Sequence, residues 1–347
     1  MAVTVLVVDA DPRSCADWGA LLSDRGYDVI AARDGEAALK LCLSLRPDLI
    51  LLYGLLPDMC GLEVCRRLKA DPRNRLTPII FHAPVGDISD AASAFCAGAD
   101  DFWGYTPAPW EALGRVHSLL QLKTYIDEQA ESVLFSLAQR IEARDPFDGA
   151  HCLRVSNNAV RFGKSLGLCQ KDLDALRIGG LVHDIGKIGI PDAILFKAGP
   201  LDAHETQIVM EHPIIGERIC APLKSFRDVL PLIRHHHERM DGSGYPDGLC
   251  GEQIPLDVRA LQIVDICDAL TSDRSYRRNL SLPSALLVLR EEAELGWLDG
   301  ALVNQFASLV IGSEGSVALD NRRALGSTEG ARWSGSSLSG RLSRRAG

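Results

Sequence analysis

The chain has 347 residues, of which 46% are hydrophobic and 24% charged, with a net charge of −9, enough for two domains each with its own core. The acidic balance argues against polymeric nucleic acid as a partner but leaves room for a small anionic ligand in a local basic pocket. Mean hydropathy is +0.03 and no run of about 18 or more apolar residues occurs, so no membrane span or membrane partner is expected.

The opening MAVTVLVVDADP reads as a strand rather than a signal peptide, because it lacks a basic start and a small-residue cleavage site. The ten cysteines form no CxxC pair and read as reduced cytoplasmic thiols. Residues 3–8 are a short apolar run ending at Asp9, which fits a buried parallel strand. Asp11-Pro12 opens a helix that Gly26 closes. Strands then follow at 29–32, 49–52, 78–81 and 102–103, with helices at 34–44, 60–70, 87–97 and 109–122 between and after them. This alternation predicts a doubly wound parallel sheet over residues 1–122.

Leu119, Leu122, Ile126, Val133, Leu137 and Ile141 keep near-helical spacing, interrupted at Gln129, and predict a linker helix over 123–143. It forms either a coiled-coil dimer seam or a helix packed on its own domain. From residue 144 the helical pattern dominates, at 151–166, 170–181, 204–220, 226–235, 255–271 and 283–295. An all-helical domain over 144–311 is expected, with one long loop in DGSGYPDGLCGEQIP. Residues 312–347 are rich in Ser, Gly and Arg and are expected to be a disordered, solvated tail, since they bury too little surface to offset ordering entropy.

The segment LVHDIGKIGIP places His183 beside Asp184, with Lys187 one helical turn on. A neutral imidazole is a metal ligand and a carboxylate can bridge two metals. Further candidates follow in His151, His212, the run His235-His236-His237, and Asp265; His204 has no evident role. Phosphodiester hydrolysis needs an activated water and charge stabilisation on phosphoryl oxygens, which a two-metal His/Asp site supplies.

HDIGKIGIPDAILFKAGPL at 183–201, HHERMDGSGYPDGLCGEQIP at 236–255 and DICDALTSDRSYR at 265–277 together resemble the HD-GYP phosphodiesterases, and the resemblance spans about residues 144–306. Residues 1–120 resemble a response-regulator receiver domain of two-component signalling, with its key positions altered. Asp9 remains, but Ala10 replaces the second acidic residue, Tyr53 the phosphoacceptor aspartate, Ala83 the hydroxyl of the fourth strand, and Tyr105 the lysine. A phenol cannot form an acyl phosphate, so no phosphoacceptor is expected. Such a pseudo-receiver would serve folding, dimerisation or docking.

The resemblance implies a flavodoxin-like doubly wound receiver fold followed by an all-α HD-superfamily domain. It implies His183, Asp184, His212, His236, His237 and Asp265 as metal ligands, Asp184 bridging, with His151 near the metals and Lys187 catalytic. Arg274 and Arg277 would hold substrate phosphates, and Gly242, Gly244, Tyr245 and Pro246 would shape the substrate mouth. Some relatives carry a metal-recruiting glutamate four residues before the histidine at 151; here that position is Phe147, with Asp148 and Glu142 off the mark. Two divalent ions, iron or manganese, are therefore expected.

The implied activity is hydrolysis of cyclic di-GMP to linear pGpG or on to GMP. Two alternatives stay open: another cyclic dinucleotide, or a non-catalytic adaptor that binds partners through the Gly-Tyr-Pro loop. A homodimer through the receiver or linker helix, and signalling partners such as diguanylate cyclases, belong to the same expectation.

Overall fold

The computed structural model describes residues 3–83, 88–142, 150–197, 199–272 and 279–317. The chain divides into two compact units, one built mainly on Met1–Ser132 and the other on Val133 onward.

In the first unit five strands, β1 (Thr4–Val8), β2 (Asp28–Ala32), β3 (Leu49–Tyr53), β4 (Ile79–His82) and β5 (Asp101–Trp103), pair in the order β2-β1-β3-β4-β5. Every pairing is parallel. The helices α1 (Pro12–Ser23), α2 (Gly35–Leu45), α3 (Gly61–Ala70), α4 (Ile88–Cys96) and the start of α5 (Pro109–Glu142) connect and follow them. This is the expected flavodoxin-like order. Alternate strand residues face opposite sides. Leu6, Val8, Ile50, Leu52, Ile79 and Phe81 form one core, and Val5, Val7, Leu49, Leu51, Ile80 and Trp103 the other. Asp11 caps α1 by accepting from the N–H of Arg13 at 3.0 Å, and Pro12 fills the first helical position.

Ligands of doubly wound sheets bind at the carboxyl ends of the strands. Here that edge is filled with aromatic rings. Tyr53 ends β3, lies opposite His82 in the ladder, and meets its ring edge-on at 5.5 Å. His82 in turn contacts Trp103 at 6.0 Å and Trp18 at 6.2 Å. The retained Asp9 is buried and accepts the N–H of Asp11 at 2.9 Å. Tyr105 is exposed, and its hydroxyl donates to Glu111 at 2.6 Å. Small phosphodonors should therefore neither label the first 120 residues nor alter turnover. A phosphate mapped there by mass spectrometry, with acyl-phosphate lability, would refute this.

α5 runs unbroken to Glu142. Gln129 interrupts the apolar pattern but is itself a good helix former. The second unit is helical: α6 (His151–Ser165), α7 (Gln170–Val182), α8 (Asp192–Leu195), α9 (Ala203–Met210), α10 (His212–Cys220), α11 (Leu230–His235), α12 (Leu256–Thr271), α13 (Leu282–Glu294) and α14 (Gly300–Val317). Its core includes Phe162, Leu176, Phe226, Leu232, Ile233, Leu261 and Phe306. α14 runs past the boundary expected at 311; residues 318–347 of the expected tail lie outside the described residues.

Candidate metal centre

The site is built where four helices end or begin. α7 stops at Val182, and His183 caps it, its N–H donating to the carbonyl of Gly179 at 2.7 Å. The chain then tightens into a 3-10 turn over Ile185–Gly189 instead of continuing as an α-helix. In such a turn side chains three apart eclipse one another. Asp184 and Lys187 are therefore aligned directly, and Lys187 Nζ donates to Asp184 Oδ2 at 2.5 Å.

The helix expected over 204–220 is two helices. Proline has no N–H to continue the ladder and clashes with the carbonyl four residues back, and Pro213 sets α10 off from α9 at His212. His212 uses this break: its Nδ1 donates to the carbonyl of Val209 at 2.7 Å, which an N–H at 213 would otherwise take. His183 bonds the carbonyl of Gly180 at 3.2 Å through Nδ1, and His236, just past α11, that of Ile233 at 2.8 Å. With Nδ1 protonated in all three, the Nε2 lone pairs face one another across a shared space.

All seven ligand candidates fall into two adjoining groups: Asp184, His212, His236 and His237 in one, His151, His183 and Asp265 in the other. Within each, the ligand atoms lie within 4.8 Å of one another. Asp184 stands between them. Its Oδ1 lies 3.3 Å from His212 Nε2 and 3.8 Å from His236 Nε2, while its Oδ2 lies 3.5 Å from His183 Nε2. Asp265 Oδ1 lies 3.2 Å from His151 Nε2 and 3.7 Å from His183 Nε2.

Burial, with His183 and His212 alongside, pushes His236 down to about 3, and burial likewise holds His237 well below the usual imidazole range. Burial acts the other way on Asp184, yet Lys187, His183 and His212 hold its carboxyl well below the usual range. Neutral imidazoles and ionised carboxylates are the forms that bind metal. His183 Nε2 and Asp184 Oδ1 are buried and have no hydrogen-bond partner among the described residues. Buried polar atoms are rarely left so, and two acceptors aimed at one space fit a cation.

His151 begins α6, whose first turn is capped by Glu142, Oε1 accepting from the N–H of Cys152 at 2.6 Å. Glu142 is thus engaged by the α6 backbone; Phe147 and Asp148 lie outside the described residues. Burial disfavours the His151 cation, but Asp265 and Asp268 outweigh it and raise the imidazole to about 10, so metal binding through His151 must displace a proton. Asp268 is a residue the sequence reading missed. Its Oδ2 sits 2.7 Å from His151 Nδ1, and Arg154 Nε donates to its Oδ1 at 2.8 Å. A carboxylate behind a ligating imidazole fixes its tautomer and raises its basicity. Its position one turn after Asp265 in DICDAL was the available signal. Asp268→Asn should lower metal affinity and turnover about 10–100-fold, read by metal titration and kinetics; unchanged values would remove Asp268 from the site.

Gly242, Gly244, Tyr245 and Pro246 lie in the loop after His237, with the Tyr245 ring stacked on His237 at 4.9 Å. Burial pushes the Tyr245 phenol up, so it stays a neutral donor. Arg274 and Arg277 lie outside the described residues. His235, Glu238 and Asp247 form a third group. Its carboxylates are already engaged: Arg234 grips Asp247 through Nε and Nη2, both at 2.7 Å, and Glu238 accepts loop N–H groups.

Residues 132–302 match the family model of the HD domain, and residues 5–103 that of the response regulator receiver domain. The chain is 37% identical over 275 residues to the cyclic di-GMP phosphodiesterase response regulator RpfG of Xanthomonas campestris pv. campestris, covering 73% of each chain. It is 32% identical over 324 residues to a probable cyclic di-GMP phosphodiesterase of Vibrio cholerae, covering 82% of this chain and 73% of the other. The 3'3'-cGAMP-specific phosphodiesterase 3 of Vibrio cholerae is 34% identical over 165 residues, 48% of this chain and 36% of that one. No helix among the described residues is long and apolar enough to cross a membrane.

Proposed function

This chain belongs to the HD-GYP response-regulator family, and from that premise we propose that it hydrolyses cyclic di-GMP at the His/Asp centre of its helical unit. The observation that carries this is the division of seven ligand candidates into two groups, with one oxygen of Asp184 facing each. Asp184, His212, His236 and His237 would hold one divalent ion, and His151, His183 and Asp265 the other, Asp184 bridging. Nitrogen and oxygen donors without thiolate favour iron or manganese. Bound there, the ions supply a nucleophilic water at neutral pH and neutralise charge on the phosphoryl oxygens.

The side chains do the rest. Lys187 orients Asp184 through Oδ2 and, with its side chain 31% exposed, presents an ammonium towards the phosphodiester. Tyr245, held against His237, forms a wall for the bound nucleotide. Arg274 and Arg277 complete phosphate binding in this reading. The first cleavage opens the ring to pGpG, and a second gives GMP.

In the same reading residues 1–122 are a pseudo-receiver, 123–143 a linker helix, 144–311 the catalytic domain, and the chain is cytoplasmic. A homodimer through the receiver or α5 is supported by the exposure of Leu122, Ile126 and Val133 on that helix. Diguanylate cyclases are the signalling partners that would supply the substrate.

The specificity of the Vibrio cholerae relative keeps cyclic GMP-AMP as the second substrate to try. Protein purified without oxygen should carry close to two ions per chain and hydrolyse cyclic di-GMP faster than cyclic GMP-AMP. Full metal loading with no turnover of either would end the phosphodiesterase reading. A reproducible third ion per chain would end the two-metal reading.

A further inference from the structure

His236 and His237 turn into the metal centre, but the next residue, Glu238, turns beneath the loop that follows. Its side chain is fully buried, with 0% exposed. Burying a carboxylate is costly unless donors meet its charge. Here the donors are two backbone N–H groups of that loop: Asp247 N–H to Oε1 at 2.7 Å and Leu249 N–H to Oε2 at 2.9 Å. The base of the loop is closed by the bridge between Asp241 and Cys250 and by the N–H of Gly251 on the carbonyl of Met240 at 2.9 Å. Nearer its middle, Tyr245 N–H donates to the carbonyl of His237 at 3.2 Å. Gly244 packs so closely that a Cβ there would lie 2.4 Å from Glu238 Cα.

The other side of the segment is held as firmly. Gln262, buried on α12, donates through Nε2 to the carbonyls of Glu238 at 2.8 Å and His235 at 3.1 Å. It lies about one turn before the candidate ligand Asp265. The backbone that carries His236 and His237 is thus fixed to the α12 scaffold, and the loop is fixed to that backbone through one carboxylate.

We propose that Glu238 is a positioning residue for hydrolysis: by holding both N–H groups it sets Tyr245 against His237 and so fixes the wall of the substrate mouth. This rests on the phosphodiesterase reading above. Each carboxylate oxygen accepts one bond, so Glu238→Gln keeps the shape but sets an NH2 donor against a backbone donor.

The test uses the full chain purified without oxygen. Glu238→Gln should keep the metal content of the wild type while kcat/KM on cyclic di-GMP falls about 100-fold, the size expected of a displacement near 1 Å, mostly through KM. The amides of Asp247 and Leu249 should lose protection from hydrogen exchange. In a Tyr245→Ala background Glu238→Gln should cost nothing further, since both act through one ring. Additive losses, metal loss accompanying the loss of activity, or unchanged amide protection would overturn the proposal. If Glu238→Gln does not fold, Glu238→Asp keeps the charge but withdraws it by one methylene, and the same measurements apply. A wild-type protein inert towards cyclic di-GMP would sink the phosphodiesterase reading alone, because amide protection and metal content report on Glu238 without turnover.

Discussion

Asp184→Ala is expected to cut hydrolysis by more than about 1,000-fold, because removing a shared donor costs several kcal/mol of charge stabilisation at about 1.4 kcal/mol per tenfold. The geometry explains the size. Oδ1 faces His212 and His236 while Oδ2 faces His183, so one substitution removes a donor from both groups. It also removes the carboxylate that Lys187 pairs with at Oδ2. Bound metal should fall with activity, by elemental analysis of protein purified without oxygen. The fold should survive, since the surrounding Val182, Ile185 and Ile233 are buried independently of the carboxylate. Lys187→Ala provides the contrast: turnover falls while metal stays. Wild-type turnover and full metal occupancy in Asp184→Ala would show that Asp184 bridges nothing.

The parallel sheet was legible because apolar runs such as residues 49–52 repeat between helical stretches, whereas the ladder order was implied only by the receiver resemblance. The candidate ligands were legible as residue types, and their division into two groups was not. It depends on Asp184 lying between helices distant in sequence. Asp268 and Glu238 escaped for a related reason. Asp268 acts on His151 across 117 positions, and Glu238 acts on backbone N–H groups, which leave no mark on side-chain pattern. Two local features were also hidden. The 3-10 turn at Ile185–Gly189 shares its first residues with a helical motif. α14 contains Gly300, Gly312 and Gly315, poor helix formers, and forms because Leu302, Val303, Phe306 and Ala307 are buried.

Gly186→Ala should cost about 100-fold in rate, though residue 186 offers no side chain to any ligand. The 3-10 turn crosses the start of α10 at this point. A Cβ on Gly186 would stand 1.8 Å from the carbonyl oxygen of His212, 2.8 Å from its carbonyl carbon and 2.6 Å from the backbone nitrogen of Gly216. All three are backbone atoms, so no side chain can swing aside. Gly216 faces the same crossing, where its own Cβ would lie 3.3 Å from the nitrogen of Gly186. Relief requires the turn and α10 to part by about 1.5 Å, the shortfall from ordinary contact distance. That parting carries His212 away from Asp184, whose atoms now lie 3.3 Å apart. Overpacking of this kind costs about 1–3 kcal/mol of stability, and a misplacement near 1 Å costs about 100-fold in rate. Thermal melting, metal content and kcat/KM should all fall together. Gly189→Ala is the control, because the nearest atoms its Cβ would meet belong to the flexible Ile215 side chain, at 3.0 Å, and it should lose much less. A Gly186→Ala protein with two ions bound and wild-type kcat/KM would mean that the turn and α10 do not jointly set the position of His212.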